Sequence, residues 1–170
     1  SIDNMIKDYQ GNLWFSSSRL GLLKMCETAF SEIYLSAGFS ETVVNTVTKY
    51  RGKIYFGTDN GLSMIDAESG EAEENELTKK MKGLRVRCLM QDRKNRMWVC
   101  TYTKGLYCID PSGKIQAYET DTGQQFRVLL ELSDGTIAAG GKKGITFFRD
   151  GEVLKRLTQK DGFENQVVLT

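Results

Sequence analysis

Three kinds of residue in this 170-residue sequence could do chemistry: acidic residues before turns, cysteines and glycine-rich turns; histidine is absent. Asp8 and Asp92 stand at one place in two copies of a repeated pattern, and paired carboxylates could act as general acid and base. A carboxylate at such a place more commonly accepts hydrogen bonds from the backbone of its own turn. We therefore predict that Asp8 and Asp92 shape turns and do not catalyse a reaction.

The cysteines are Cys26, Cys88, Cys100 and Cys108, and no two of them have CxxC spacing. That spacing argues against a zinc ribbon or a thioredoxin-like site. Three of the four fall within predicted strands, where a free cysteine behaves as a small apolar residue. Free core thiols are the favoured interpretation, and a disulfide remains the alternative.

Glycine-rich turns suggest phosphate binding only superficially. The segment "AAGGKKG" lacks both the spacing of a phosphate-binding loop and the Ser or Thr that follows its lysine. Positive φ in tight turns accounts for such glycines. No metal, cofactor or catalytic residue is predicted for this chain.

Charge and hydrophobicity limit the classes of partner. The 23 basic and 22 acidic residues give a formal net charge of +1, which predicts no nucleic-acid partner. No apolar run approaches the roughly 20 residues needed to cross a bilayer. The chain starts inside the phase of its repeat, as an excised fragment would.

The elements that position these residues recur four times. A glycine followed by Leu or Ile occurs at Gly21, Gly61, Gly105 and Gly144, at intervals of 40, 44 and 39 residues. The segments between them are short and rich in aromatic and β-branched residues, which indicates strands and not helices. One copy predicts strands at 86–91, 96–101, 106–110 and 114–120. A period near forty with four strands per unit is typical of propeller blades.

The copies resemble the two-component regulator propeller repeat, whose pattern is "N-x-V-x-x-I-x-x-D-x-x-G-x-L-W-I-G-T-x-x-G-L". The segment "NMIKDYQGNLWFSSSRLGL" and the segment "MQDRKNRMWVCTYTKGLYCID" match it best. The fourth copy diverges most, with Ala138 where the tryptophan belongs. The structural repeat positions are Gly11, Trp14, Gly21, Gly52, Tyr55, Gly61, Trp98, Gly105, Gly135 and Gly144. We predict that the aromatic ones pack between blades.

This resemblance implies an all-β fold: a β-propeller fragment of about four four-stranded antiparallel blades, part of a seven-bladed propeller. We expect one partial propeller over 1–170, with blades at 1–37, 38–80, 81–121 and 122–160, and 161–170 starting the next blade. The acidic and basic run "EAEENELTKKMKGLRVR" is predicted to be a solvated outer strand followed by an exposed connection.

The resemblance also implies a function. Such propellers form the extracytoplasmic, non-catalytic sensor part of bacterial membrane-spanning signalling proteins, with a histidine kinase or diguanylate cyclase as output, and some sense carbohydrate breakdown products. The implied partners are the remaining blades, the downstream domains, a small-molecule or oligosaccharide ligand, and a second copy of the fragment through its uncovered blade faces. One alternative is a propeller hydrolase, lyase or lactonase with its site on missing blades; another is a cytoplasmic scaffold.

A propeller ligand usually binds where the second strand of each blade turns into the third. The candidate ligand-binding residues at these turns are Arg19, Asp59, Asn60, Tyr102, Lys104, Lys142 and Lys143. They offer hydrogen-bond donors and one ring for stacking, a combination that suits a small polar ligand.

Overall fold

A computed structural model of the chain describes residues 2–19, 21–25, 33–118, 125–150, 152–162 and 167–168. The chain divides into two compact units, Ser1–Ile33 and Tyr34–Thr170. No helix among the described residues is long and apolar enough to cross a membrane. Cys26 and part of the linking segment after Asp161 lie outside the described residues.

The first unit contains an antiparallel sheet, here called sheet I, with the strand order β1-β2-β3. Its strands are β1 (Asn4–Lys7), β2 (Leu13–Ser17) and β3 (Gly21–Met25). The turn after β1 is held by Asp8, whose Oδ1 accepts hydrogen bonds from the backbone N–H of Gln10 and Asn12, each at 2.9 Å.

The second unit contains three four-stranded antiparallel sheets, each with its strands in chain order. Sheet II consists of β4 (Val44–Tyr50), β5 (Lys53–Thr58), β6 (Gly61–Asp66) and β7 (Ala72–Glu73). Sheet III consists of β8 (Val86–Gln91), β9 (Met97–Thr101), β10 (Leu106–Ile109) and β11 (Ile115–Tyr118). Sheet IV consists of β12 (Phe126–Glu131), β13 (Ile137–Gly141), β14 (Gly144–Arg149) and β15 (Glu152–Leu157). Two short helices, α1 (Ile33–Ser36) and α2 (Glu76–Lys80), and a 3-10 helix at Gln159–Asp161 complete the described elements.

These sheets confirm the predicted all-β propeller fold. In sheet III the strand limits agree with the sequence-based ranges to within two residues over the described part of the chain. Successive strands are joined by hairpins, and glycines with positive φ lie in the turns, including Gly52 at +75° and Gly135 at +80°.

Neighbouring sheets of the second unit cover one another. The cluster between sheets II and III includes Tyr55, Met81, Val86 and Val99, all buried. Sheets stack on both faces of sheet III, so the middle strand β9 is buried at every position and is apolar at all of them except Thr101.

Sheets III and IV enclose a second cluster, built around aromatic rings. Trp98 is stacked on Tyr118 at a centroid distance of 5.5 Å, and Tyr118 meets the edge of Phe148 at 5.3 Å. Trp98 is only 1% exposed and Phe126 is fully buried. The repeated aromatic position therefore lies in the packing layer between two sheets, as it does for Tyr55 between sheets II and III.

The connection from sheet II to sheet III differs from the prediction of an exposed segment. Its outer strand β7 has only two residues, and the following residues form helix α2. Leu77 and Met81 are fully buried in the cluster between sheets II and III. Asn75 starts the helix, because its Oδ1 accepts the Thr78 N–H at 2.9 Å and its Nδ2 donates to the Tyr55 hydroxyl at 3.0 Å. Five residues are too few to show a helical period, which is why the sequence pattern missed them.

Polar contacts join the sheets at the end where the first strand of each sheet turns into the second, here called the turn end. The Tyr50 hydroxyl of sheet II donates to the Asn95 carbonyl of sheet III at 2.8 Å. Lys94 of sheet III pairs with Asp150 of sheet IV at 3.1 Å. These contacts hold adjoining sheets together at the turn end.

Candidate functional site

The candidate site lies at the opposite end of the second unit, here called the loop end. The second strand of each sheet there turns into the third, between β5 and β6, β9 and β10, and β13 and β14. The β5–β6 turn and the β9–β10 turn are each held by the hydroxyl of a threonine. The Thr58 hydroxyl donates to the Gly61 carbonyl at 3.0 Å and accepts the Asn60 N–H at 3.1 Å.

Thr101 repeats this arrangement, donating to Gly105 at 2.9 Å and accepting from Lys104 N–H at 3.0 Å. The threonine and glycine of the repeat pattern are therefore one hydrogen-bonded turn, which sets the following loop residues on the surface. Gly61 has a φ of +146°, and a Cβ added there would lie 3.1 Å from the Met81 carbonyl oxygen, so glycine is required.

Two of the predicted ligand-binding residues are brought together by a third that the sequence did not indicate. Arg85, in the connection before β8, pairs with Asp59 at 3.0 Å between Nη2 and Oδ2. Its guanidinium carbon also lies 5.5 Å from the centre of the Tyr102 ring. The Tyr102 N–H donates to the Arg85 carbonyl at 2.8 Å, which fixes the two backbones. The result is a cluster of a carboxylate, a guanidinium and an aromatic face, contributed by sheets II and III.

The first strand of each sheet adds a polar side chain near this end. The pairing of first and second strands slips by one residue at Asn45, Arg87 and Arg127, as a β-bulge produces. Bulges commonly redirect a side chain next to a site. Asn45 Nδ2 donates to Asp59 Oδ1 at 2.8 Å and to the Val86 carbonyl at 3.0 Å, and its Oδ1 accepts from Arg87 at 3.3 Å.

Arg127 occupies the corresponding bulge in sheet IV. Its Nε is buried and has no hydrogen-bond partner among the described residues. The sequence carries one signal for these bulged residues: a polar side chain directly after the first apolar residue of each first strand, as in Val44-Asn45, Val86-Arg87 and Phe126-Arg127.

The remaining predicted residues do not join this cluster. Asn60 is exposed and lines a separate cavity of about 590 Å³ in sheet II, together with Tyr34, Phe39 and Lys82. Lys104 is exposed on the β9–β10 loop, while Lys142 and Lys143 are exposed on the β13–β14 turn. Arg19 is exposed in the first unit, where its N–H donates to Ser17 Oγ at 3.3 Å.

The cluster combines three groups with different interaction chemistry. A guanidinium supplies a planar fork of donors, a carboxylate supplies acceptors, and a tyrosine ring supplies a face for stacking. Among residues the structure describes, no three His, Cys, Asp or Glu side chains are grouped as metal ligands would be.

Solved structures share the fold of this chain. The extracellular domain of BT4673 from B. thetaiotaomicron, described as a one-component system, superimposes with a TM-score of 0.62 at 16% identity, over 97% of this chain and 26% of that one. The same domain, described in a second structure as a hybrid two-component system, gives a TM-score of 0.56 at 18% identity, over 89% of this chain and 21% of that one.

A catalytically inactive His-to-Ala variant of virginiamycin B lyase from Staphylococcus aureus, solved with quinupristin, gives a TM-score of 0.55 at 14% identity. The alignment covers 88% of this chain and 53% of the lyase. The chain thus spans about a quarter of the extracellular domains and about half of the lyase.

No curated protein sequence matches this chain significantly. The family model described as two component regulator propeller matches residues 80–103, which cover β8, β9 and the turn between them. That match confirms the resemblance seen in the sequence: this chain carries a two component regulator propeller repeat on a β-propeller fold.

Proposed function

We propose that this chain is a non-catalytic, ligand-sensing propeller segment of a bacterial membrane-spanning signal transduction protein, located on the extracytoplasmic side. The propeller repeat at residues 80–103 and the shared fold of extracellular signalling domains support this proposal. The remaining blades and the downstream domains of the parent protein are its proposed partners.

The Asp59–Arg85–Tyr102 cluster is the observation on which the ligand-binding part of the proposal depends. The hydroxyls of a sugar need paired donors and acceptors, and its apolar ring face needs an aromatic surface. The cluster combines these kinds of group, with Asp59 accepting from Arg85 and Asn45 and the Arg85 guanidinium lying over one face of Tyr102. We therefore propose a carbohydrate breakdown product as the ligand, the class that the family resemblance implies.

A propeller lyase is the competing class, because virginiamycin B lyase shares the fold. The solved lyase is a catalytically inactive variant in which alanine replaces a histidine. The present sequence contains no histidine. A binding role therefore fits the residues of this chain better than a lyase role.

Titration calorimetry with a panel of neutral and acidic oligosaccharides tests the proposal. We expect at least one oligosaccharide to bind the unmodified chain, and Tyr102→Ala to abolish that binding while the midpoint of thermal unfolding stays unchanged. Tyr9→Ala is the matched control, because Tyr9 is 95% exposed and lies in the turn after β1.

Two results would count against this assignment. One is an oligosaccharide that binds Tyr102→Ala as tightly as it binds the unmodified chain. The other is a complete absence of binding across the panel by a folded chain.

A further inference from the structure

Cys88 of β8 and Cys100 of β9 are directly opposite each other in sheet III. Opposed residues of antiparallel strands have Cα atoms about 4.5 to 5.5 Å apart, and disulfides span Cα separations of about 4.4 to 6.8 Å. Both side chains lie on the face of sheet III that packs against sheet IV. The backbone therefore holds the two residues within the range of a disulfide, while the structure shows free thiols.

The two thiols contact one another and differ in environment. The Cys88 thiol donates a long hydrogen bond to the Leu89 carbonyl at 3.9 Å. Cys88 is partly exposed, whereas Cys100 is fully buried. The hydrogen bond with Cys100 lowers the pKa of Cys88, whereas burial raises the pKa of Cys100 well above its ordinary value. Cys88 is therefore the thiol that a reagent meets first and that ionises more readily.

The position of Cys100 makes this pair specific to sheet III. The corresponding residues of sheets II and IV are Gly57 and Gly140, which are opposite Thr46 and Val128. A glycine at this place satisfies the packing of the repeat in both neighbouring sheets, so the fold itself does not require a thiol here. Two opposed cysteines thus replace a glycine and a β-branched residue in one sheet only.

We propose that Cys88 and Cys100 are a redox-active pair that closes to a cross-strand disulfide by exchange with a low-molecular-weight disulfide. In the first step the Cys88 thiolate attacks one sulfur of that disulfide and releases one thiol, which leaves a mixed disulfide on Cys88. In the second step Cys100 loses its proton and attacks the Cys88 sulfur, which releases the second thiol. The pair loses two electrons and two protons, and the small disulfide gains them.

Closure of this bond alters the contact between sheets III and IV. Both sulfurs lie in the cluster that sheets III and IV enclose, and closure draws the Cys88 sulfur toward Cys100 and away from the Leu89 carbonyl. The oxidation state of the pair is therefore linked to the packing of two adjoining sheets. This inference does not depend on the proposed ligand.

The experiment equilibrates the folded chain with mixtures of reduced and oxidised glutathione, then traps free thiols by alkylation and maps the peptides by mass spectrometry. We expect a peptide linked through Cys88 and Cys100 that has lost two hydrogens and is restored by dithiothreitol. Cys108→Ser is the matched control and should leave this linkage unchanged, because burial raises the pKa of the Cys108 thiol to about 12.

Cys100→Gly, which introduces the residue of the neighbouring sheets, separates the two steps. We expect this variant to fold and to hold one glutathione on Cys88, because the second thiol is missing. The proposal is wrong if the folded unmodified chain keeps Cys88 and Cys100 reduced at every glutathione ratio, or if Cys88 forms bonds only with other thiols. Should Cys100→Gly not fold, the peptide map of the unmodified chain still decides the question.

Discussion

The indole N–H of Trp98 donates a hydrogen bond to Oδ2 of Asp92 across 2.8 Å. The same bond joins Trp14 to Asp8 at 2.9 Å in sheet I. In both copies the other carboxylate oxygen accepts backbone N–H groups of the turn, which for Asp92 belong to Lys94 and Arg96. The aspartate and tryptophan of the repeat are therefore one unit, which in sheet III fastens the turn to the packing layer between sheets III and IV.

Asp92→Ala should destabilise the chain by about 3 kcal/mol, because it leaves the buried indole N–H of Trp98 and the Arg96 guanidinium without their acceptor. Urea unfolding followed by tryptophan fluorescence measures this change. Asp8→Ala is the matched control and should cost less, because Trp14 is only half-buried. If the two variants lose the same free energy of unfolding, burial of the aspartate–tryptophan pair does not determine how much the pair stabilises the fold.

Acid should destabilise the fold through the same carboxylates. Burial alone would raise the pKa of Asp92, but hydrogen bonds from Trp98 and Arg96 outweigh it and hold the pKa below its ordinary value. The hydrogen bond from Trp14 lowers the pKa of Asp8 from 3.8 to about 2. A carboxyl with a lowered pKa in the folded state stabilises the fold above its unfolded pKa, and that contribution is lost as the pH falls through the folded value.

We therefore expect urea midpoints to be constant near neutrality and to fall from about pH 4 to about pH 2. Asp92→Asn should reduce this slope, because the amide does not titrate. A slope identical to that of the unmodified chain would exclude Asp92 as a contributor to acid unfolding.

Gly57→Ala tests how closely two sheets approach. A Cβ at Gly57 would lie 2.6 Å from Val86 Cγ1 of sheet III and 2.5 Å from Thr46 Cγ2, so overpacking should cost about 1–3 kcal/mol. Gly70→Ala is the control, because nothing lies within 4 Å of its added Cβ and only the backbone at φ +74° is strained. Differential scanning calorimetry should show a larger fall in the midpoint of thermal unfolding for Gly57→Ala than for Gly70→Ala. The reverse order would contradict the close approach of sheets II and III at Gly57.

Leu77→Ala should destabilise the chain by about 2–5 kcal/mol, because Leu77 is fully buried between sheets II and III. Asn75→Ala removes the cap of the same helix and should cost about 1 kcal/mol. Chemical denaturation of both variants checks the order. A neutral Leu77→Ala would mean that this connection is a solvated segment, as its charge pattern suggests.

The sequence alone determined the architecture. Two landmarks, the leading turn at Gly11, Gly52, Asn95 and Gly135 and the glycine–leucine or glycine–isoleucine step, recur at a period near forty. Each of these local signals requires only neighbouring residues to form its turn or strand. The fourth copy forms its sheet although Ala138 replaces the tryptophan, and its Ile137 and Ala139 pack with Phe126 and Phe148 between sheets III and IV.

Only the tertiary structure decided which side chains meet. Arg85 joins Asp59 to Tyr102, and Asn45 joins Asp59 to Arg87. Cys88 faces Cys100. Each of these sets combines residues that lie on different strands or sheets. The physical reason is that a repeat pattern sets the spacing along the chain, whereas the bulges, strand register and stacking of sheets set the distances across it.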